Sequence, residues 1–192
     1  VNRAEAEKLF NLLHNHLILG KDMFSERTSI HVHVNMHNLS VKEIKQIILL
    51  YALFEEFFFL PCDISRRDNI HCVALTDTFL PTYYGNSLES MHSKWHKYTA
   101  MNVKPLSEYG TLEFRHMHGH NDRTLFRNWL FLLEKLVKTG STLQPFSSIT
   151  LNDAYVKDLF VQLFSHFPQF DLWLTQLQEK TFNQKLDIKL SL

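Results

Sequence analysis

The chain has 192 residues, 45% of them hydrophobic, with 20 Lys+Arg against 20 Asp+Glu, so no overall field would draw nucleic acid or an anionic membrane. The longest apolar run, Ile47 to Leu60, is broken by Glu55 and Glu56, which argues against a membrane span. One substantial core fits this length and two cysteines, Cys62 and Cys72, make no disulfide framework; the expectation is one cytoplasmic domain over residues 1–192 with reduced thiols.

Leucines and Phe10 spaced among charges predict an amphipathic helix over residues 3 to 18, stopped near Gly20. Ser29-Ile-His-Val-His-Val-Asn-Met-His37 then alternates strictly. As a strand it puts His31, His33, Asn35 and His37 on one face and Ile30, Val32, Val34 and Met36 on the other. Imidazoles crowded at this spacing gain most by sharing a metal or an anion. Ser40-Val-Lys-Glu43 is a capping box opening a helix through about Phe59, closed by Pro61, with Glu55 and Glu56 as its polar edge.

Arg66-Arg67-Asp68-Asn69 reads as a polar loop, Ile70 to Leu75 as a short apolar segment, and Thr76 to Asn86, with Pro81 and Gly85, as an irregular flap. A short helix is expected from Ser87 to Trp95 and a strand over Tyr98 to Val103. The latter joins through Lys104 to Gly110 in an antiparallel hairpin that brings Asn102 near Glu113. In the partner strand Thr111, Glu113, Arg115 and Met117 share a face, with Leu112, Phe114 and His116 on the other. A carboxylate and a guanidinium side by side either neutralise each other or divide the work of a phosphoryl site, the carboxylate on a hard cation and the guanidinium on phosphate oxygens. After the N-cap pair Asn121-Asp122 a helix runs to Gly140, and two more are expected near 152–166 and 169–181 in a C-terminal helical extension over 141–192.

His31-Val-His-Val34, Arg66 through Asn69, Lys97-Tyr-Thr-Ala-Met-Asn-Val103 and Gly110-Thr-Leu-Glu-Phe-Arg-His116, with the Trp129 helix behind them, together resemble the amidoligase family, carboxylate–amine ligases related to glutamine synthetase. The resemblance spans residues 25 to 140. It implies an α+β fold, with a concave antiparallel sheet, helices on its outer face and C-terminal helices added. It also implies ATP-driven amide formation through an acyl-phosphate, assisted by Mg2+ or Mn2+, on a small-molecule or peptide carboxylate and an amine. His31 and Glu113 match metal ligands in that family, and His33 and Arg115 match phosphate contacts. Arg66 or Arg67 would join Arg115 in neutralising the transferring group, and Tyr98 and Asn102 would touch a substrate. Self-assembly or an assembly partner is compatible with it.

The family pattern includes an early Glu-x-Glu strand that supplies further metal carboxylates, and none precedes His31. Glu5-Ala-Glu7 has the spacing but lies in a helical pattern, where positions i and i+2 do not share a face. Two expectations follow. The acidic strand lies upstream in a longer protein of which this is the C-terminal part, or the domain keeps its fold as an interaction or assembly module. Gly119-His120-Asn121 also stands where the family has a Gly-Thr pair. A third reading takes His116, His118 and His120, with His31 and His33, as the transition-metal site of a hydrolase.

Overall fold

A computed structural model describes residues 2–16, 24–25, 28–78, 88–144 and 153–179. Over these it is α+β, with a three-stranded antiparallel sheet and seven helices. The helices are α1 (Arg3–His16), α2 (Val41–Phe59), α3 (Leu88–Lys94), α4 (Leu106–Tyr109), α5 (Arg123–Thr142), α6 (Asp153–Phe164) and α7 (Phe170–Glu179). The strands are β1 (Val32–Asn35), β2 (Met101–Asn102) and β3 (Thr111–Phe114), in the order β1-β3-β2. None of the described helices is long and apolar enough to cross a membrane. The expected helix stop at Gly20 and most of the flap lie outside the described residues.

α2 begins as its sequence dictates. Ser40 Oγ accepts from the Glu43 amide while the Glu43 carboxylate accepts from the Ser40 amide at 2.7 Å, satisfying two N–H groups that a helix end leaves unpaired. Ile47, Ile48, Tyr51, Phe54 and Phe58 are all but fully buried, and Phe54 and Phe57 meet Phe160 and Phe164 of α6 edge-on or tilted at centroid distances of 4.7–6.1 Å. Each such side chain contributes on the order of 1.5–3 kcal/mol by leaving water. α2 also packs against α5, where a Cβ on Gly140 would collide with Ile47. That close approach corrects the expected helix end. Gly140 serves helix–helix contact, and α5 continues through Thr142.

The strands are shorter than their alternation suggested, because the backbone turns at their ends. Asn35 Oδ1 accepts from the His37 amide at 2.8 Å, which curls the chain after β1. Before β2, the Thr99 amide donates to the His96 carbonyl at 3.1 Å and makes a turn of what read as strand. The β2–β3 connection is the expected hairpin, its loop wound into α4. Beyond Phe114 the regular pairing breaks and resumes at a Ser29–His118 bridge, and Met117, expected on the charged face, is fully buried in the core instead.

Candidate functional site

β3 is the central strand, and its register places His33 opposite Glu113 on one side and Asn102 opposite Glu113 on the other. Side chains directly opposite in an antiparallel pair lie on the same face, so three strands deliver one polar side chain each to a single spot. The entry into β3 requires a glycine. Gly110 closes α4 at φ 62°, and a Cβ there would run into the His37 ring.

Glu113 is the hub. Its Oε1 meets His31 Nδ1 at 2.8 Å and lies 3.8 Å from His33 Nε2, and its Oε2 accepts from Asn102 Nδ2 at 2.8 Å. Arg115 Nε stands 3.2 Å from the same Oε2. That is an ion-pair distance, but the N–H is not aligned for a hydrogen bond. Sequence reasoning had this carboxylate on an exposed face, whereas it is only 5% exposed because four neighbours cover it. Burial pushes its pKa up. The hydrogen bonds from His31 and Asn102 and the Arg115 charge outweigh that, and the pKa is held down to about 2. Glu113 is therefore an anion at any physiological pH.

Supporting contacts fix the rings. His31 Nε2 is 3.0 Å from Ser29 Oγ, and His33 Nδ1 is 3.0 Å from Thr111 Oγ1. Ser29 was overlooked as part of the site; its place two residues before His31, on the same face of an extended chain, was the available signal. Asn102 Oδ1 accepts from the Lys104 amide at 3.0 Å, which orients its amide group toward Glu113. Arg115 lies 5.8 Å from the Tyr98 ring centroid, within cation–π range, with 16% of its side chain exposed. His31, His33, Tyr98, Asn102, Glu113 and Arg115 are thus one cluster.

The two remaining arginines stand apart from Glu113. Arg66 is 2% exposed, and it donates from Nε to the His116 carbonyl at 3.2 Å and from Nη2 to the Arg115 carbonyl at 2.6 Å. It braces the backbone that carries Arg115. Arg67 is paired with Asp77 at 2.7 Å and lies over the Phe59 ring.

A second polar cluster was missed. Glu55, read as the polar edge of α2, is 2% exposed, and its carboxylate accepts from the Leu75 and Thr76 amides at 2.5 and 2.7 Å and from Tyr51 Oη at 2.6 Å. Tyr51 Oη also meets His116 Nε2 at 2.8 Å. Burial raises the Glu55 pKa, partly offset by those hydrogen bonds, and it lowers that of His116 to about 3, assisted by the Arg66 charge.

Of the alternating histidines after β3, the His118 and His120 rings lie 5.0 Å apart, and His116 does not join them. His116 is sealed in the core, His118 Nδ1 accepts from the Asp63 amide at 3.0 Å, and His120 Nδ1 accepts from the Asp122 amide at 3.0 Å. Among the described residues no three His, Cys, Asp or Glu side chains are grouped to hold a metal ion. His31 and Glu113 do not fit a divalent ion as they stand. Their facing atoms are bonded to each other, and the second carboxylate oxygen is engaged by Asn102 and Arg115. A hard cation needs about six oxygen ligands, and this cluster offers one carboxylate.

A family model described as "Putative amidoligase enzyme" matches residues 3–137, more than half of the chain. No curated protein and no solved structure matches it. Every element of the Glu113 cluster falls inside the matched stretch, and the chain belongs to this amidoligase family.

Proposed function

We propose that the protein is an ATP-dependent carboxylate–amine ligase, and that the Glu113 cluster is its phosphoryl-handling site. In this reading β1, β3 and β2 form part of a concave sheet like that of the glutamine synthetase catalytic domain. A substrate carboxylate oxygen attacks the γ-phosphorus of ATP, the bond to the bridging oxygen breaks, and ADP leaves with the electron pair. The amine nitrogen then attacks the acyl carbon, phosphate leaves, and the amine proton goes to solvent or phosphate. Both substrates are small molecules or peptides, and the reaction takes place in the cytoplasm, where ATP is supplied.

The observation that carries this reading is the hydrogen-bonded, ionised Glu113 beside Arg115 and His33. Glu113 holds the Arg115 guanidinium by charge, its Oε2 3.2 Å from Nε, and the terminal N–H groups donate to phosphate oxygens. His33, oriented by Thr111, supplies a further ring N–H. Charge spreads over the phosphoryl oxygens in the transition state, and donors already fixed there stabilise it without reorganising. Arg66 acts by holding the carbonyls around Arg115, as a positioning residue, and Asn102 orients Glu113. Mg2+ or Mn2+ would neutralise the nucleotide phosphates in such a ligase, and no ligand set for it stands among the described residues.

Isothermal titration with ATP, with and without Mg2+, tests the proposal. Saturable binding is expected, and Arg115→Ala should weaken it by about ten- to a hundredfold while changing stability by less than about 1 kcal/mol. Heat-free titration of a folded wild-type protein, or binding indifferent to Arg115, would overturn it.

A further inference from the structure

Next to Arg115 lies a group of side chains that the phosphoryl reading does not use. Tyr98 is flanked by His71 and His96, both T-shaped to its ring at centroid distances of 4.9 and 5.6 Å. Lys97 Nζ is 4.7 Å and the Arg115 guanidinium carbon 5.8 Å from the same centroid. Two cations and two imidazoles thus converge on one phenol ring. Among the described residues the carboxylate paired with this group is Glu113, through Arg115.

The turn that carries the group is fixed. The Val73 amide donates to the Tyr98 carbonyl at 2.8 Å, the Thr99 amide donates to the His96 carbonyl at 3.1 Å, and buried Trp95 donates from Nε1 to Thr99 Oγ1 at 2.7 Å. A fixed turn backbone limits the freedom that His96 and Lys97 lose on meeting an anion, which is what a recognition site needs. The cation–π contacts also decide what kind of ligand fits. Tyr98 already has Lys97 and Arg115 against it, so it offers little bare ring for a nucleobase to stack on. What faces outward is positive charge and N–H groups. The chain as a whole carries a formal net charge of +0, so this excess is local.

Building on the ligase reading, we propose that the Tyr98 turn is a second anion subsite that selects a carboxylate substrate bearing further carboxylates, an acidic amino acid or acidic peptide. Arg115 faces the reacting end and the phosphate. Lys97, His96 and His71 hold the non-reacting carboxylates. The subsite thereby sets which carboxylate the enzyme accepts, a choice that Arg115, which meets only the reacting carboxylate and the phosphate, does not make.

The test uses butyrate, glutarate and propane-1,2,3-tricarboxylate as probes with one, two and three carboxylates, titrated by NMR in the absence of nucleotide. Affinity should rise at least tenfold from the first to the third. The double variant His96→Gln, Lys97→Gln changes two exposed side chains, and it should remove that gain while leaving butyrate and ATP affinities unchanged. Equal affinity for all three probes, or a tricarboxylate affinity untouched by the double variant, would overturn the subsite. So would a parallel loss of ATP affinity in the double variant, which would give these cations to the nucleotide phosphates. A wild-type protein that binds the carboxylates in the expected order but no ATP would sink the ligase reading and leave the subsite standing.

Discussion

Two carboxylates, Glu113 and Glu55, are buried nearly equally, each with a histidine in its network, yet their chemistry diverges. Glu113 has cationic company in Arg115 and hydrogen bonds from His31 and Asn102, and its pKa falls to about 2 despite burial. Glu55 has neutral donors, the Tyr51 phenol, two main-chain amides and the Thr76 side chain, and burial prevails, raising its pKa. Charge in the first cluster is held beside a partly exposed guanidinium. In the second, the donors merely tie α2 to the segment around Leu75. The comparison teaches that burial alone does not set the charge of a carboxylate, whereas a cationic partner beside it does.

Glu55→Ala is the harshest way to break this contrast. It strands the Leu75 and Thr76 amides and the Tyr51 hydroxyl without their acceptor, and should cost about 3–5 kcal/mol of stability. Denaturant unfolding would read this as a large fall in midpoint. A midpoint within experimental error of wild type would mean that Glu55 is no structural tie.

Arg115→Ala probes the other side. Loss of charge-assisted contacts to phosphate should weaken ATP binding by about ten- to a hundredfold, the equivalent of about 1.5–3 kcal/mol. Stability should change by less than about 1 kcal/mol, since Arg115 is partly exposed and its pairing with Glu113 is not aligned for a hydrogen bond. If instead the melting temperature collapses and ATP affinity holds, the two clusters share one structural role.

What the sequence disclosed and what it hid follow the same division. His31, His33, Asn102, Glu113 and Arg115 were legible because strand alternation is a local rule and the Gly110 turn set the pairing of β2 with β3. The Ser40–Glu43 cap was legible for the same reason. Glu55 was hidden because a carboxylate in an amphipathic helix defaults to the wet side, and two of its partners are main-chain amides 20 and 21 residues away, which leave no side-chain signature. Arg66 was hidden likewise. It bonds carbonyls rather than side chains, so adjacent arginines in a loop looked equivalent when one of them is interior bracing. Gly140 looked like a helix stop because only tertiary packing tells a close contact from a cap.

Acid separates the clusters more gently. His116, with its pKa lowered from 6.5 to about 3, is neutral when folded and protonated when unfolded across that interval. Its contribution is complete above pH 6.5 and is lost as pH falls toward 3, at up to about 1.4 kcal/mol per pH unit for the one proton involved. His120, lowered to about 4, acts in the same direction. Glu113, lowered from 4.5 to about 2, begins to matter only below pH 4.5. Urea midpoints should therefore fall between pH 6.5 and 5 while Glu113 stays ionised. Glu55, with its raised pKa, takes up a proton on folding and opposes this fall, so the profile is read in Glu55→Gln, where a flat course would mean that His116 is hydrated and not sealed.

The smallest effect sharpens the buried side further. The Tyr51 hydroxyl has one proton, and at 2.6 Å from a carboxylate that accepts and does not donate, the proton goes to Glu55. The same oxygen must then accept from His116, so His116 carries its hydrogen on Nε2. Its Nδ1 has no partner among the described residues. Tyr51→Phe removes an acceptor from His116 and a donor from Glu55, and should cost about 1–2 kcal/mol without altering ATP binding. Nitrogen chemical shifts of His116 give the sharper reading. The Nε2–H tautomer is expected in the wild type, and the Nδ1–H tautomer would mean that the phenol proton points at the imidazole and that Glu55 holds a proton of its own.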